Sequence, residues 1–228
     1  MEIEVLDDPA GELAERLVAA AESGGHITLT CRSSPREAYR RAAAMGADWS
    51  QAVLWFGDDR CVPPDDDRSN YKMAKESLLG SVDAEVERIH GELPVDQAAD
   101  NYEQRLIESV GGGIEGIVPV LDVVLLGLGS DGHCGSLFPG KPEVDVHDRA
   151  VVAVPEAGLE PFVPRVSMTL PVFNAAREVW FIVTGEGKAE AAARAFGGDP
   201  RPDTPASYVR PPLLTVLMDP PAASLLPK

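Results

Sequence analysis

The sequence predicts an α/β fold, a mostly parallel sheet with helices on both faces, and two observations predict it. Short apolar runs of strand length alternate with longer stretches of helical spacing from one end of the chain to the other. The run at residues 121–126, apolar apart from Asp122 and rich in branched side chains, suits a strand buried on both faces. That run breaks sharply into Gly127, Gly129, Ser130, Asp131, Gly132 and His133. In an open α/β sheet, ligands bind beyond the carboxyl ends of central strands, so this stretch reads as an active-site loop centred on His133.

The elements follow in order. Residues 3–6 make a short strand, and residues 10–22 a helix with Leu13, Leu17 and Val18 on one face, ended by Ser23-Gly24-Gly25. Residues 26–30 are a strand by their β-branched content. Cys31-Arg32-Ser33-Ser34-Pro35 then leads into a helix over 36–45, a strand-to-helix turn that offers N–H groups and hydroxyls to a phosphate. Residues 51–56 are the next strand, ending in Gly57-Asp58-Asp59-Arg60. The acidic triplet Asp65-Asp66-Asp67 is a solvated loop, because consecutive acids point in different directions and do not gather on a metal. Ser69 caps a helix over 71–79, and a further helix over 96–110 is closed by the turn Gly111-Gly112-Gly113. After the focal loop come a strand at 151–154, a proline-marked loop at 155–164, a half-buried alternating strand at 165–170, a strand at 178–184, a helix at 187–196 and a last strand at 213–218.

A chain of 228 residues with 44% apolar content supports one core, and a single domain over 1–228 is the expectation. The net charge of −17 argues against a nucleic-acid-binding surface, which needs clustered Lys and Arg. An acidic protein that binds an anion must do so with a few well-placed cations. Three cysteines, Cys31, Cys61 and Cys134, show no metal-type pairing and fit free thiols in a reducing compartment. With no signal segment and no membrane-spanning run, the expected location is the cytoplasm, away from membranes.

His133 stands between glycines two residues after Asp131, and an imidazole is the side chain best matched to proton transfer near neutrality. Asp131 either fixes its tautomer or caps the following turn. Gly127-Leu128-Gly129 has only part of a dinucleotide fingerprint, so no nicotinamide cofactor is expected. Arg60 is either ion-paired to Asp58 or Asp59, or held by them and aimed at an anionic substrate. Arg165 and Lys188 carry the same alternatives, and Lys188, after Gly185-Glu186-Gly187 at a helix start, has the geometry of an anion site. His26, His90 and His147 share no ligand spacing. Cys134, adjacent to His133, is badly placed to be activated by it.

These motifs together resemble the 6-phosphogluconolactonase family. The likeness runs through Gly57-Asp58-Asp59-Arg60, Val62-Pro63-Pro64-Asp65 and Ser69-Asn70-Tyr71, through the segment from Gly127 to His133, and through Ser136-Leu137-Phe138-Pro139-Gly140. It continues in the segment from Arg165 to Leu170, in Thr184-Gly185-Glu186-Gly187-Lys188 and in Pro205-Ala206-Ser207. The resemblance implies the fold type of glucosamine-6-phosphate deaminases and ribose-5-phosphate isomerases. It implies metal-independent hydrolysis of 6-phospho-D-glucono-1,5-lactone in the oxidative pentose phosphate pathway, without cofactor, by a monomer or weak homo-oligomer whose partner is the sugar-phosphate lactone. It assigns catalysis to His133, Asp131 and Arg60, and substrate or phosphate binding to Ser33, Ser34, Arg32, Asp58, Gly129, Gly132, Arg165 and Lys188, with loop N–H groups near Gly129 and Gly132 meeting the oxyanion. Deaminases resemble the chain as well but have Asn-Glu-Pro where Ser136-Leu137-Phe138-Pro139 stands. A sugar-phosphate binder without turnover is the remaining alternative. Two departures from the family pattern stand out: Cys31-Arg32 replaces the usual Gly-Gly, so that Arg32 either supplies a cation or obstructs the site, and Asp59 replaces Glu.

Overall fold

The apolar runs of the sequence become the strands of two sheets, shown by a computed structural model that describes residues 1–30, 33–112 and 118–227, Ser33 by its backbone alone. Among the described residues the elements are β1 (Glu2–Val5), α1 (Pro9–Ser23), β2 (Gly25–Leu29), α2 (Ser33–Ala44), β3 (Ala52–Phe56), β4 (Asp58–Arg60), α3 (Asn70–Ala74), β5 (Glu85–Val86) and α4 (Val95–Val110). They continue as β6 (Val123–Gly127), β7 (Val151–Val154), β8 (Arg165–Met168), α5 (Leu170–Ala175), β9 (Glu178–Val183), α6 (Ala189–Phe196), β10 (Leu213–Met218) and α7 (Pro220–Ala223). None of the described helices is long and apolar enough to cross a membrane.

The larger sheet is parallel, in the order β1-β10-β9-β6-β2-β3-β5. Every residue of β6, the central strand, is buried, as its unbroken apolar character requires. From β2 the chain adds strands in one direction, to β3 and β5. From β6 it adds them in the other, to β9 and β10. Crossovers between parallel strands are right-handed, so opposite directions place the connecting helices on opposite faces. Accordingly α1 packs on α2, while α4 packs on β7 and β8. Where β2 and β6 lie side by side their onward segments diverge, and a crevice opens beyond their carboxyl ends.

The structure adds elements that local pattern did not separate. Residues 58–60 form β4, which joins β8 and β7 in a small antiparallel sheet of order β4-β8-β7. The alternation at 165–170 predicts a half-buried strand, yet all four residues of β8 are buried, because β8 is the middle strand of that sheet and α4 covers it. The strand stops at Met168, and Leu170 already begins α5. The helix expected over 71–79 is α3 followed by a π-helical turn, Lys75–Leu79, in which Ser77 Oγ donates to the Met73 carbonyl at 2.6 Å. The helix expected from 187 starts at Ala189, after a 3₁₀ turn over Glu186–Lys188. Gly111, at φ 84°, closes α4 as expected, whereas Gly113 lies outside the described residues.

Two buried tyrosines fasten the strand ends from which the site loops spring. Tyr39 of α2 accepts from the Thr30 N–H at 3.0 Å and donates to the Thr30 carbonyl at 2.7 Å. Tyr102 of α4 does the same at Phe56, accepting at 2.8 Å and donating at 2.9 Å. Each phenol thus satisfies a donor and an acceptor of buried backbone at a strand terminus. Tyr102→Phe would keep the ring and orphan both backbone groups, costing about 1–3 kcal/mol. A melting temperature lower by at least about 2 °C is expected for a chain of this size, and a variant that melts with the wild type would contradict the role.

Candidate active site

The loop after β6 is folded on itself by its glycines. Gly129 N–H donates to the His133 carbonyl at 2.8 Å, and Gly132 N–H to the Gly129 carbonyl at 3.0 Å. Gly132 sits at φ 97°, where a side chain would also meet Thr204. A Cβ on Gly129 would collide with the His133 ring and the Asp131 carboxylate. This tight turn brings Asp131 Oδ1 within 2.5 Å of His133 Nδ1, and the same oxygen accepts the His133 N–H at 3.3 Å. Asp131 thus touches both the imidazole and the backbone of the turn. Burial pushes the Asp131 carboxyl up, but the hydrogen bond and charge of His133 outweigh it, so its pKa is lowered overall. An ionised Asp131 places the ring hydrogen on Nδ1 and makes Nε2 the basic nitrogen. His133 is 1% exposed, with its ring 4.6 Å from that of Phe138.

A cleft of about 560 Å³ occupies the crevice between the diverging loops. Its floor includes Gly127 and Leu128, the last residue of β6 and the next. Ser34 and Arg36 enter from the start of α2, Arg60 and Asn70 from the β4–α3 segment, and Thr184 and Lys188 from beyond β9. Ser34 Oγ and Thr184 Oγ1 are 2.6 Å apart, which bridges the loops after β2 and β9. Three elements distant in sequence thus bring Arg36, Arg60 and Lys188 to one wall system with hydroxyls between them, an arrangement suited to an anion.

Arg60 is held differently from either sequence reading. Its guanidinium donates to Asn70 Oδ1 and, at 2.8 Å, to the Arg68 carbonyl, not to Asp58 or Asp59. Asp59 instead accepts backbone N–H groups of Arg60, Asn70 and Tyr71 at 2.7, 2.6 and 3.0 Å, so it caps α3 alongside Ser69. Asp58 is buried and accepts from Ser136 Oγ at 2.6 Å.

Of the residues assigned from the sequence, Ser34, Arg60 and Lys188 line the cleft, and His133 and Asp131 lie on the loop that leaves its floor. Four placements differ from expectation. Arg165 is 2% exposed, donates to the Leu159 and Pro161 carbonyls, and lies over the Phe138 ring at 5.1 Å, off the cleft wall. Asp58 faces protein donors. The N–H groups of Gly129 and Gly132 are engaged inside their own loop. Cys31 and Arg32, with the side chain of Ser33, lie outside the described residues, so the altered loop is not placed. The remaining cysteines are free thiols whose pKa burial raises, Cys61 to about 11 and Cys134 further, in keeping with no nucleophilic role. Sequence reasoning did not single out Asn70, Thr184 or Arg36. Asn70 stands within the Ser69-Asn70-Tyr71 motif and had that signal. Thr184 likewise stands at the head of the motif that ends in Lys188, whereas Arg36 becomes visible only when the strands are side by side.

Residues 3–217 match the family described as glucosamine-6-phosphate isomerases/6-phosphogluconolactonase, and the chain belongs to that family. It is 41% identical over 179 residues to a 6-phosphogluconolactonase of Mycobacterium tuberculosis, covering 74% of this chain and 70% of the relative. It is 36% identical over 234 residues to one of Streptomyces coelicolor, covering 96% and 89%. Among solved structures, the 6-phosphogluconolactonase of Trypanosoma brucei superposes with a TM-score of 0.87 at 28% identity, covering 99% and 98%.

The support beneath Arg60 titrates. Burial raises the Asp59 pKa from 3.8 to about 6, its three backbone hydrogen bonds pull the other way, and the Asp58 charge adds to the rise. A carboxyl that holds its proton more tightly when folded stabilises the fold at low pH, and that contribution is lost as pH rises through its folded value. The stability of wild type relative to Asp59→Asn is therefore expected to fall between about pH 4 and about pH 6 and to level off above, as read by denaturant melts. A difference independent of pH would refute this titration.

Proposed function

We propose that this chain hydrolyses 6-phospho-D-glucono-1,5-lactone to 6-phospho-D-gluconate, acting as one domain in the cytoplasm, monomeric or weakly self-associating. The observation that carries the reading is a single crevice that joins the cations Arg60 and Lys188 to the floor from which the Asp131–His133 loop departs. The relatives named 6-phosphogluconolactonase support it, as do the segments Ser136-Leu137-Phe138-Pro139, where Ser136 anchors the loop and Phe138 packs on His133.

In this reading the phosphate is held by Lys188 and Arg36, with Ser34 and the N-terminus of α2 beside it. The lactone ring then extends towards the loop that carries His133. His133 Nε2 takes a proton from water as the water oxygen bonds to the lactone carbonyl carbon. Asp131 stabilises the imidazolium that forms. The negative charge gathering on the carbonyl oxygen falls to the Arg60 guanidinium, since the N–H groups of Gly129 and Gly132 are taken within their loop. The intermediate collapses by breaking the bond from the carbonyl carbon to the ring oxygen, which receives the proton from His133. The product carboxylic acid ionises, and the imidazole is neutral again.

Formation of 6-phosphogluconate, corrected for spontaneous opening of the lactone, tests this directly. His133→Ala is expected to lower kcat by about a hundredfold or more. Lys188→Ala is expected to raise KM by about tenfold with a smaller change in kcat, as the loss of one charge-assisted phosphate contact implies. Wild-type protein that leaves the lactone at its spontaneous rate, or that releases ammonia from glucosamine 6-phosphate instead, would overturn the assignment.

A further inference from the structure

Strand β4 carries three charged residues in a row, and side chains alternate across a strand. Asp58 and Arg60 therefore share one face and Asp59 takes the other, where it caps α3. Asp58 is 7% exposed, and its recorded partners are uncharged. One oxygen accepts from Ser136 Oγ at 2.6 Å; the other is 3.4 Å from Asn70 Nδ2, which also donates to the Asp58 carbonyl at 2.8 Å. A buried carboxylate surrounded by neutral donors is costly relative to an uncharged pair of the same shape, so its position in the network is informative.

Each partner leads to a different part of the site. Ser136 lies three residues after His133, in a turn closed by the Cys134–Leu137 bridge, and its own N–H is held by Ser167 Oγ at 3.1 Å. Ser167 stands directly opposite Asp58 in the β4–β8 pairing. Asn70 accepts from the Arg60 guanidinium through its other end. A continuous run of hydrogen bonds thus joins the histidine loop to the arginine: Ser136, Asp58, Asn70, Arg60.

We propose that Asp58 is a positioning residue that sets the placement of the Arg60 guanidinium relative to the His133 imidazole, and that it does not contact substrate. This rests on the proposed function, in which both groups act on one molecule. Among the described residues β4 and the loop after β6 share no main-chain ladder, and the Asp58 side chain bonds directly to that loop at Ser136. Asp58 does this from a strand whose backbone is itself held by β8.

The test compares Asp58→Asn, Ser136→Ala, Asn70→Ala and the Ser136→Ala/Asn70→Ala double variant, all checked for folding by thermal melting. Asp58→Asn is expected to lower kcat by about tenfold or more, because small misplacements of catalytic groups cost that much. The two single alanine variants share one connection, so the double variant should lose less than the product of their separate losses. Losses that multiply, or an Asp58→Asn enzyme with kcat within about twofold of wild type, would overturn the proposal. If Asp58→Asn does not fold, the alanine pair decides alone. A readout independent of turnover separates this inference from the proposed function. Inorganic phosphate, titrated into wild type, should shift the imidazole nitrogen resonances of His133 through the strut. In Asp58→Asn that response should vanish while phosphate affinity stays within about threefold. A response that persists in the variant would overturn the strut, and an inactive wild type that still shows the coupled response would overturn the lactonase reading only.

Discussion

Two neighbouring parallel strands, β2 and β6, send the chain off in opposite directions, and the crevice that the cleft occupies follows from that reversal. Strands of a parallel sheet must be connected by crossovers, and crossovers have one hand. When the direction of strand addition changes, the segments leaving adjacent strands are forced apart, which leaves a gap that no helix fills. Ser34 and Arg36 belong to one of the diverging segments, and Gly127, Leu128 and the Asp131–His133 loop to the other. Lys188 and Thr184, one strand further along, close the third side. Polar groups collect there because strand and helix ends offer unpaired backbone groups, with Met73, Leu128 and Ile182 as apolar neighbours.

The crevice alone would give only a loose gathering of charges. Buried acids supply the rigidity, and each is satisfied mainly by uncharged donors. Asp59 takes three backbone N–H groups and Asp58 a serine hydroxyl and an asparagine amide, and the half-buried Asp219 works the same way, taking the Gly185 N–H at 2.9 Å together with that of Ala222 at 2.8 Å. Asp219 thereby ties the loop leading to Lys188 to the start of α7. Such carboxylates organise backbone while leaving the guanidinium and ammonium groups to face the cleft. A chain with net charge −17 can bind an anion on these terms, because Asp58 and Asp59 are turned into the protein, Asp67 on the cleft wall is paired with Lys72, and Arg36, Arg60 and Lys188 line the cleft.

The tight glycine loop after β6 serves the same end by different means. Its N–H groups are spent on the loop itself, so it acts as a mount that holds an imidazole against a carboxylate, with both the imidazole and the Arg165 guanidinium packed on Phe138. Arg165 ties that layer to the 155–164 loop through the Leu159 and Pro161 carbonyls. The rim of the site and its buried centre are therefore one packed unit.

The amino-acid sequence by itself determined the features that depend on neighbours along the chain. Buried strands announce themselves as apolar runs, the helices by their spacing, and the Asp131–His133 pair by two residues of separation inside a glycine loop, since local geometry there leaves few alternatives. Ser34, Arg60 and Lys188 were legible as cleft residues because each follows a strand end. Only the tertiary structure decided what depends on elements meeting from afar. The small antiparallel sheet pairs Arg60 with Arg165 across a hundred residues and buries a strand whose alternation reads as half exposed. It also decided that Asn70, not the adjacent acids, receives the Arg60 guanidinium, and that Asp58 reaches Ser136. Hydrogen-bond partners are set by which side chains share a face after strand pairing, and register between distant strands is a property of the whole fold, invisible to any local pattern.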